Sequence, residues 1–334
     1  MSLIKKFLAG VVALALLFAG LVAFWAQQPI RSGAAPLAFS IQAGSSLASA
    51  VQQISDAGVP LNGTLFALLA RATSQSGKLK AGSYELKPGT TPMRLLGQIV
   101  RGDYAQESLR IIEGWNFRQM RNAIAAHPGL KQDTVSLSDQ EILDRLGIDF
   151  KGAEGLFFPD TYRFANGVSE LQIYRQAHGA LMKNLNELWA KRDASLPYKT
   201  PYDALIMASI VEKETGMRSE RDMIAGVFVN RLRKGMLLQT DPTVIYGMGE
   251  AYQGNIRKSD LSTDTPYNTY TRVGLPPTPI ALPGAESLAA VFNPAATDAL
   301  YFVARGNGSS YFSSNLDEHN RAVNQFQRNI NSGL

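Results

Sequence analysis

Thr200-Pro201-Tyr202-Asp203-Ala204-Leu205-Ile206-Met207-Ala208-Ser209-Ile210-Val211-Glu212-Lys213-Glu214-Thr215 is the stretch that decides how this chain is read. Thr200 is suited to cap a helix, Pro201 to open it, and Asp203 completes a Thr-x-x-Asp capping pattern. Ala204 to Val211 is almost wholly apolar, which predicts a helix buried in a core. That register places Leu205, Ala208, Ser209 and Glu212 on one stripe, at spacings of three, four and seven. An acid on an apolar stripe is costly to ionise, so its pKa is expected to rise and it can hold a proton near neutral pH. Such an acid is what protonation of a glycosidic oxygen requires. The alternative is a helix-end Glu already in water. Glu214 lies about 200° further round the helix and is expected to brace a loop or meet solvent.

The chain has 334 residues, 45% hydrophobic and 18% charged, so its bulk is globular. The net charge of +5 includes Lys5 and Lys6, and the remaining charge is scattered. This argues against nucleic acid as a partner and is compatible with an anionic polymer or a membrane surface. There is no cysteine. His127, His178 and His319 stand alone, without metal-ligand spacing, so neither a metal nor a cofactor is expected. Lys5-Lys6 precede Phe7 to Ala26, twenty residues with no charge, which is enough to span a bilayer core. The segment closes Phe24-Trp25-Ala26-Gln27-Gln28, a poor cleavage site with an interfacial Trp. The expected arrangement is a cytoplasmic tail (residues 1–6), an uncleaved anchor (7–26) and everything beyond it outside the membrane. The alternative is a cleaved signal.

Residues 27–37 read as a linker with two prolines and a Gly-Ala-Ala run. A strand, a Gly-bearing turn and a helix then recur three times. The first unit is Phe39 to Gln42, Ala43 to Ser46, then Leu47, Val51 and Ile54 on one helix face. The second is Ser83 to Leu86, Lys87 to Pro92, then Met93, Leu96, Ile99 and Val100. The third is Leu109 to Ile112, Glu113-Gly114-Trp115, then Phe117, Met120 and Ile124. Such units are expected to pack together as an α+β module. The opening of the first resembles that of a LysM module, a small fold that binds N-acetylglucosamine polymers; a generic strand–helix turn fits it as well. Gln132 to Leu146 is helical in period, with Ser136 or Ser138 as cap. Glu154-Gly155-Leu156-Phe157-Phe158-Pro159-Asp160-Thr161-Tyr162 forms an aromatic turn that either lines a glycan groove or plugs a core.

Beyond the Glu212 helix, Ser219-Glu220-Arg221-Asp222 reads as a second cap. Met223, Val227, Phe228 and Leu232 read as a buried stripe. Asp241-Pro242 reads as a cap-plus-proline start to a short helix stopped at Gly247. Thr265 to Tyr270 alternates rings with hydrogen-bonding groups. Ala299 to Phe312 reads as a hairpin turning at Arg305 to Ser309, and a final helix from about Leu316 ends in a polar tail.

Taken together, the chain resembles the endolytic murein transglycosylase (YceG-like) family. The motifs that carry this are Ala208 to Thr215, Ser219-Glu220-Arg221, Val229-Asn230-Arg231-Leu232, Leu238 to Gly247, Tyr267-Asn268-Thr269-Tyr270, Gly274-Leu275-Pro276-Pro277 and Tyr301 to Ala304. Glu113-Gly114-Trp115 and Phe158 to Tyr162 also fit. Where the family more often has Pro-Pro-Gly, this chain has Pro-Pro-Thr at Thr278, a change expected to bear on loop flexibility.

The resemblance implies an α+β protein with an N-terminal transmembrane helix, a LysM-like subdomain (38–105), an intermediate region (106–165) and a catalytic domain (166–334). It implies a single-pass inner-membrane protein with a periplasmic domain that cuts inside peptidoglycan strands, with Glu212 as the catalytic acid. Ser209, Glu214, Asn230, Gln239, Thr240, Asp241, Tyr246, Tyr267, Asn268 and Tyr270 are the expected substrate-binding residues. Peptidoglycan synthases are expected partners. Two other readings stay open: a muramidase-type hydrolase using Glu212 with Asp241 or Glu214, and a scaffold without catalysis. Asp241 also suits a helix N-cap.

Overall fold

The computed structural model describes residues 2–33, 35–42 and 44–328. Ala34 and Ala43, expected in the linker and the first turn, and the polar tail after Arg328 lie outside the described residues. The described chain is a mixed α+β protein that divides into two compact units, Met1–Glu107 with Arg163–Val168, and Ser108–Tyr162 with Ser169–Leu334.

The first unit opens with helix α1 (Ser2–Gln27). From Ile4 onward it is long and apolar enough to cross a membrane. Its apolar side chains from Ile4 to Leu21 are solvent-exposed. At about 1.5 Å rise per residue, that exposed length is close to a bilayer's hydrocarbon thickness. The last turns differ: Val22 and Ala26 are buried, and Trp25 packs against the core of the first unit. Trp25, read from the sequence as an interfacial residue, thus also packs on the core of the first unit. The stretch after it is tied down as well: Ile30 is buried and its N–H donates to Thr90 O at 2.9 Å.

Strand β1 (Leu37–Ile41), α2 (Leu47–Asp56), α3 (Gly63–Ala72), β2 (Gly82–Leu86) and α4 (Pro92–Arg101) follow. β1 and β2 pair antiparallel from Leu37 opposite Leu86 to Ile41 opposite Gly82. Phe39 stacks on Tyr84 across them at 5.5 Å. Ser46 caps α2 and Thr91 caps α4, each accepting a backbone N–H three residues on, with Pro92 opening α4. The apolar face of α4 runs through Leu95, Leu96 and Ile99; Met93, expected on that face, is exposed. Helix α3 was not anticipated from the sequence.

The third strand–helix repeat does not join the first two in one module, because its helix α5 (Phe117–Ala125) falls in the second unit. Asn116 and Gln119 make its reciprocal capping box. Ser138, not Ser136, caps α6 (Asp139–Leu146), with Glu141 as the returning partner. The aromatic turn plugs the core. Phe157 is fully buried between Phe117 (5.2 Å) and Tyr174 (5.5 Å) of α7 (Glu170–Lys191), and Tyr162 donates to Phe158 O at 2.6 Å.

Helix α8 (Pro201–Glu214) carries the predicted Thr200–Asp203 capping box, and Ala204 to Val211 are all buried. Helix α9 (Arg221–Arg233) is entered through a 3-10 turn, Arg218–Glu220, with no side-chain cap. Ser219 therefore does not cap it. Glu220 instead accepts Ser310 N–H at 2.7 Å. The buried surface of α9 runs almost all round from Ile224 to Val229, whereas Met223 and Leu232 are only half-buried. Helix α10 (Asp241–Met248) runs past Gly247 and ends at Gly249, whose φ is +55°. Gly247 serves a different need: a Cβ there would lie 3.0 Å from Cβ of Tyr267. Helix α11 (Lys258–Ser262) precedes the proline-rich loops, and α12 (Ala285–Phe292) packs against α7, α8 and α9. The predicted hairpin (Tyr301–Ala304 with Ser310–Ser313) and final helix α13 (Leu316–Val323) are present.

Candidate active site

The apolar stripe of α8 ends before the Glu212 carboxylate. Its side chain is 5% exposed, but its oxygens meet donors instead of hydrocarbon. Oε2 accepts the Gly284 N–H at 3.0 Å and the Ser287 hydroxyl at 2.7 Å. Oε1 lies 3.2 Å from Nη2 of Arg221, whose side chain is 6% exposed. The picture of an acid stranded on an apolar stripe is thus corrected: Gly284 at the start of α12, Ser287 one turn on, and the first residue of α9 supply it with polar partners. Arg221 is shared. Its Nη1 lies 3.2 Å from Glu286, which also takes Arg218 at 2.8 Å. One guanidinium therefore divides its charge between two carboxylates.

Two loops frame Glu212. Gly114 N–H donates to Leu282 O at 2.9 Å and Leu282 N–H to Trp115 O at 2.7 Å. This pairing holds Glu113-Gly114-Trp115 beside the segment that delivers Gly284. Gly114 has φ +75°, and a Cβ there would lie 3.8 Å from Cγ of Glu212. Lys213 Nζ donates to Gly114 O at 3.2 Å. Gly114 and Lys213 also line a groove of about 700 Å³ within the second unit. Its walls include Phe117, Arg118, Glu154, Tyr246, Tyr267 and Thr278. Tyr246 and Tyr267 meet edge to face at 4.9 Å.

The expected substrate-binding residues separate into groups. Tyr246 and Tyr267 line the groove. Ser209 is fully buried: its hydroxyl donates to Ile206 O (2.7 Å) and accepts Ile280 N–H (3.0 Å), tying α8 to the proline-rich loop. Asn268 is 1% exposed; its amide donates to the carbonyls of Asp260, Leu261 and Thr263, and its oxygen accepts Tyr270 N–H. Asn230 holds Thr297 O and Ala299 O. These three side chains spend their hydrogen-bonding capacity on the protein itself.

A further group gathers on the other side of α8. Glu214 accepts the Thr240 hydroxyl, and burial, followed by the nearby Asp241 charge, raises its pKa to about 7. Thr240, not Asp241, occupies the N-cap position of α10. Asp241 is the first helical residue and accepts the Tyr270 hydroxyl at 2.5 Å. Gln239 has a left-handed backbone, φ +49°, is exposed, and donates its N–H to Thr269 O.

From sequence, Arg221 figured only in a cap pattern and a family motif, Ser287 and Gly284 were not singled out, and Glu154 appeared only as the start of the aromatic turn. Glu154 accepts the Phe117 N–H at 3.0 and 3.2 Å and the Tyr246 hydroxyl at 3.2 Å. Burial raises its pKa to about 7 against the pull of those donors.

The model of the YceG-like family matches residues 39–325. An endolytic murein transglycosylase of Bacillus subtilis (strain 168) is 33% identical over 265 residues, covering 74% of this chain and 73% of the relative. One from Streptococcus pneumoniae serotype 2 (strain D39) is 29% identical over 328 residues; the match covers 88% of this chain but only 58% of that longer protein. The crystal structure of a yceG-like protein of Listeria monocytogenes superposes with a TM-score of 0.56 at 33% identity, over 86% of this chain and 99% of that one. With the family model spanning most of its length, the chain belongs to the YceG-like family.

Proposed function

We propose that this protein is a peptidoglycan lytic transglycosylase that cuts inside glycan strands with Glu212 as its acid and then its base. The observation that carries this is the Glu212 carboxylate, buried among oriented donors at the end of a rigid core helix beside an aromatic-walled groove. Two relatives that bear the name endolytic murein transglycosylase support it.

The reaction starts with protonated Glu212. It gives its proton to the oxygen joining N-acetylmuramic acid to N-acetylglucosamine, and the C1–O bond of the muramic acid breaks. The C6 hydroxyl of the same sugar attacks C1, and its proton returns to Glu212. The product ends in a 1,6-anhydromuramoyl residue, and no water is consumed. One carboxyl group serves both halves, because it ends in the state in which it began. Gly284, Ser287 and Arg221 are placed to hold the carboxylate between proton loss and proton return. Glu286 draws on the same guanidinium, so Arg221 does not bind Glu212 alone. Tyr246 and Tyr267 offer ring faces and hydroxyls to sugar rings.

The first unit fits a supporting role. Its strand–helix–helix–strand order, β1 to β2, supports a LysM-like module that holds N-acetylglucosamine polymers. Helix α1 supports a single-pass inner-membrane anchor, and Lys5-Lys6 before it support a periplasmic location for the rest, where peptidoglycan synthases would be neighbours. Mature protein that began near Gln27 would refute the anchor.

The test is digestion of uncrosslinked glycan by the full chain in detergent, with mass analysis of the ends. Anhydro ends are expected. Reducing ends, heavier by one water, would favour a muramidase-type hydrolase, and no cleavage would favour the scaffold.

A further inference from the structure

Two carboxylates line the groove, Asp139, which pairs with Arg121, and Glu154. Glu154 lines it, mostly buried, with both oxygens turned toward the N-terminus of α5 and Oε2 toward Tyr246. Its position is set from the acid helix. Ser209 of α8 holds Ile280, the preceding Pro279 presses on Gly155, and Gly155 with φ +76° carries Glu154. A Cβ at Gly155 would collide with the Pro279 ring, so the two loops are in direct contact. Tyr246, whose hydroxyl reaches this carboxylate, meets the Tyr267 ring edge to face, and Tyr267 is fixed in turn by its hydroxyl contact to Thr278 at 2.8 Å.

Glu154 accepts the Phe117 N–H as a cap would, but it also lies in the groove wall, with Oε2 3.2 Å from the Tyr246 hydroxyl, on a loop packed against Pro279 beside the Ile280 that Ser209 of α8 holds. We infer that Glu154 is a substrate-binding residue of the groove, accepting a hydrogen bond from a sugar acetamido N–H or hydroxyl and so fixing which ring faces Glu212. This rests on the transglycosylase reading above.

As an acceptor, Glu154 binds most strongly when ionised. Its pKa of about 7 places that change near neutral pH, so affinity should rise as pH increases through 7. The titratable and charged groups that share its surroundings are Tyr246, Tyr267, Tyr202, Asp139, Arg118, Lys151 and Lys213.

The experiment uses full-length protein in detergent carrying E212Q, which binds without cutting, and soluble uncrosslinked peptidoglycan glycan as the probe. Adding E154Q should weaken binding about tenfold, the worth of one hydrogen bond to a charged group. It should also flatten the rise in affinity between pH 6 and 8. In the otherwise unmodified enzyme, E154Q should raise KM by a similar factor and change kcat far less. The amide oxygen still accepts the Phe117 N–H, so melting temperature should not fall. Should E154Q fail to fold, E154D, which keeps the charge but shortens the reach, carries the same measurements. A lowered melting temperature with unchanged affinity and pH profile would reduce Glu154 to a helix cap and overturn the inference while leaving the Glu212 reading intact. Failure of the E212Q protein to bind glycan at all would overturn both.

Discussion

Glu212 and Glu214 leave the last turn of α8 on different sides, and their surroundings differ in kind. Glu212 meets a backbone N–H, a hydroxyl and a guanidinium, and its neighbours Gly114 and Lys213 open onto the groove. Glu214 meets Thr240, which belongs to a web of loop contacts. In that web Thr240 N–H donates to the Thr269 hydroxyl, Thr243 meets the same hydroxyl, and Tyr270 donates to Asp241. Burial raises the pKa of Glu214 to about 7, a value that would suit a general acid, and its carboxylate accepts the Thr240 hydroxyl within that web. A raised pKa alone therefore does not single out a catalytic group in this helix; Glu212 is proposed on the strength of its donors and of Gly114 and Lys213, which line the groove beside it.

The largest effect expected is on turnover. Glu212→Gln keeps its shape and can still accept from Gly284, but it neither gives nor takes a proton. Loss of general acid–base help is worth about 10²–10⁴ in rate, and one residue here serves both steps, so cleavage should fall to the top of that range or below detection. Glu214→Gln should retain most activity. The reverse result, measured on the same glycan, would exchange the two assignments.

The next contrast is between groove and web. Asn268 makes three donations and one acceptance inside the loop that carries Tyr267 and Tyr270. Asn268→Ala leaves those carbonyls unpaired and should cost about 2–4 kcal/mol of stability, visible as a lower melting temperature. Tyr267→Ala removes a groove wall and should act mainly through KM. An Asn268→Ala protein with native melting temperature but lost binding would move Asn268 from the web to the groove.

The helices of the site were legible because their signals are local. Thr200, Pro201 and Asp203 mark the start of α8, and the apolar run marks its burial. The partners of Glu212 were not legible, because Arg221, Gly284 and Ser287 lie 9 to 75 residues away and meet it only once α9 and α12 pack on α8. The same holds for Asn268 and Ser209. An amide or hydroxyl in a motif-dense loop looks alike in sequence whether it faces a sugar or a carbonyl of its own chain. Periodicity could place Glu214 off the Glu212 stripe, but it could not reveal that Thr240 waits there. Gly247 looked like a helix stop because close approach by Tyr267 leaves no local trace.

Glu214 also predicts how stability depends on pH. Its folded pKa of about 7 lies above the ordinary 4.5, so between those values the native state holds the extra proton. Stability should then fall as pH rises from about 4.5 to about 7 and level off above, by at most about 3 kcal/mol for this group. Glu154 is raised to about 7 as well and adds a slope of the same sign. Glu214→Gln should remove one share and keep the other, so its melting temperature should gain on the unmodified protein at pH 8 relative to pH 5. Parallel melting curves for the two proteins across that range would show that Glu214 does not titrate within the web.

The smallest effect expected is at Thr278, on the groove side, where the chain departs from the Pro-Pro-Gly pattern. Its hydroxyl donates to Pro279 O at 2.8 Å and so is free to accept from Tyr267, 2.8 Å away. This bond aims the Tyr267 ring toward Tyr246. Thr278→Gly removes it and loosens the loop, at a combined cost of about 1–2 kcal/mol in stability. The ring stays in place, held by Gly247 and Tyr246, so KM should rise less than about tenfold, with kcat nearly unchanged because Glu212 and its donors are untouched. A fall in kcat with unchanged KM would instead tie this loop to the setting of Glu212, through Ile280 and Ser209, and would erase the division between a groove that binds and a carboxylate that reacts.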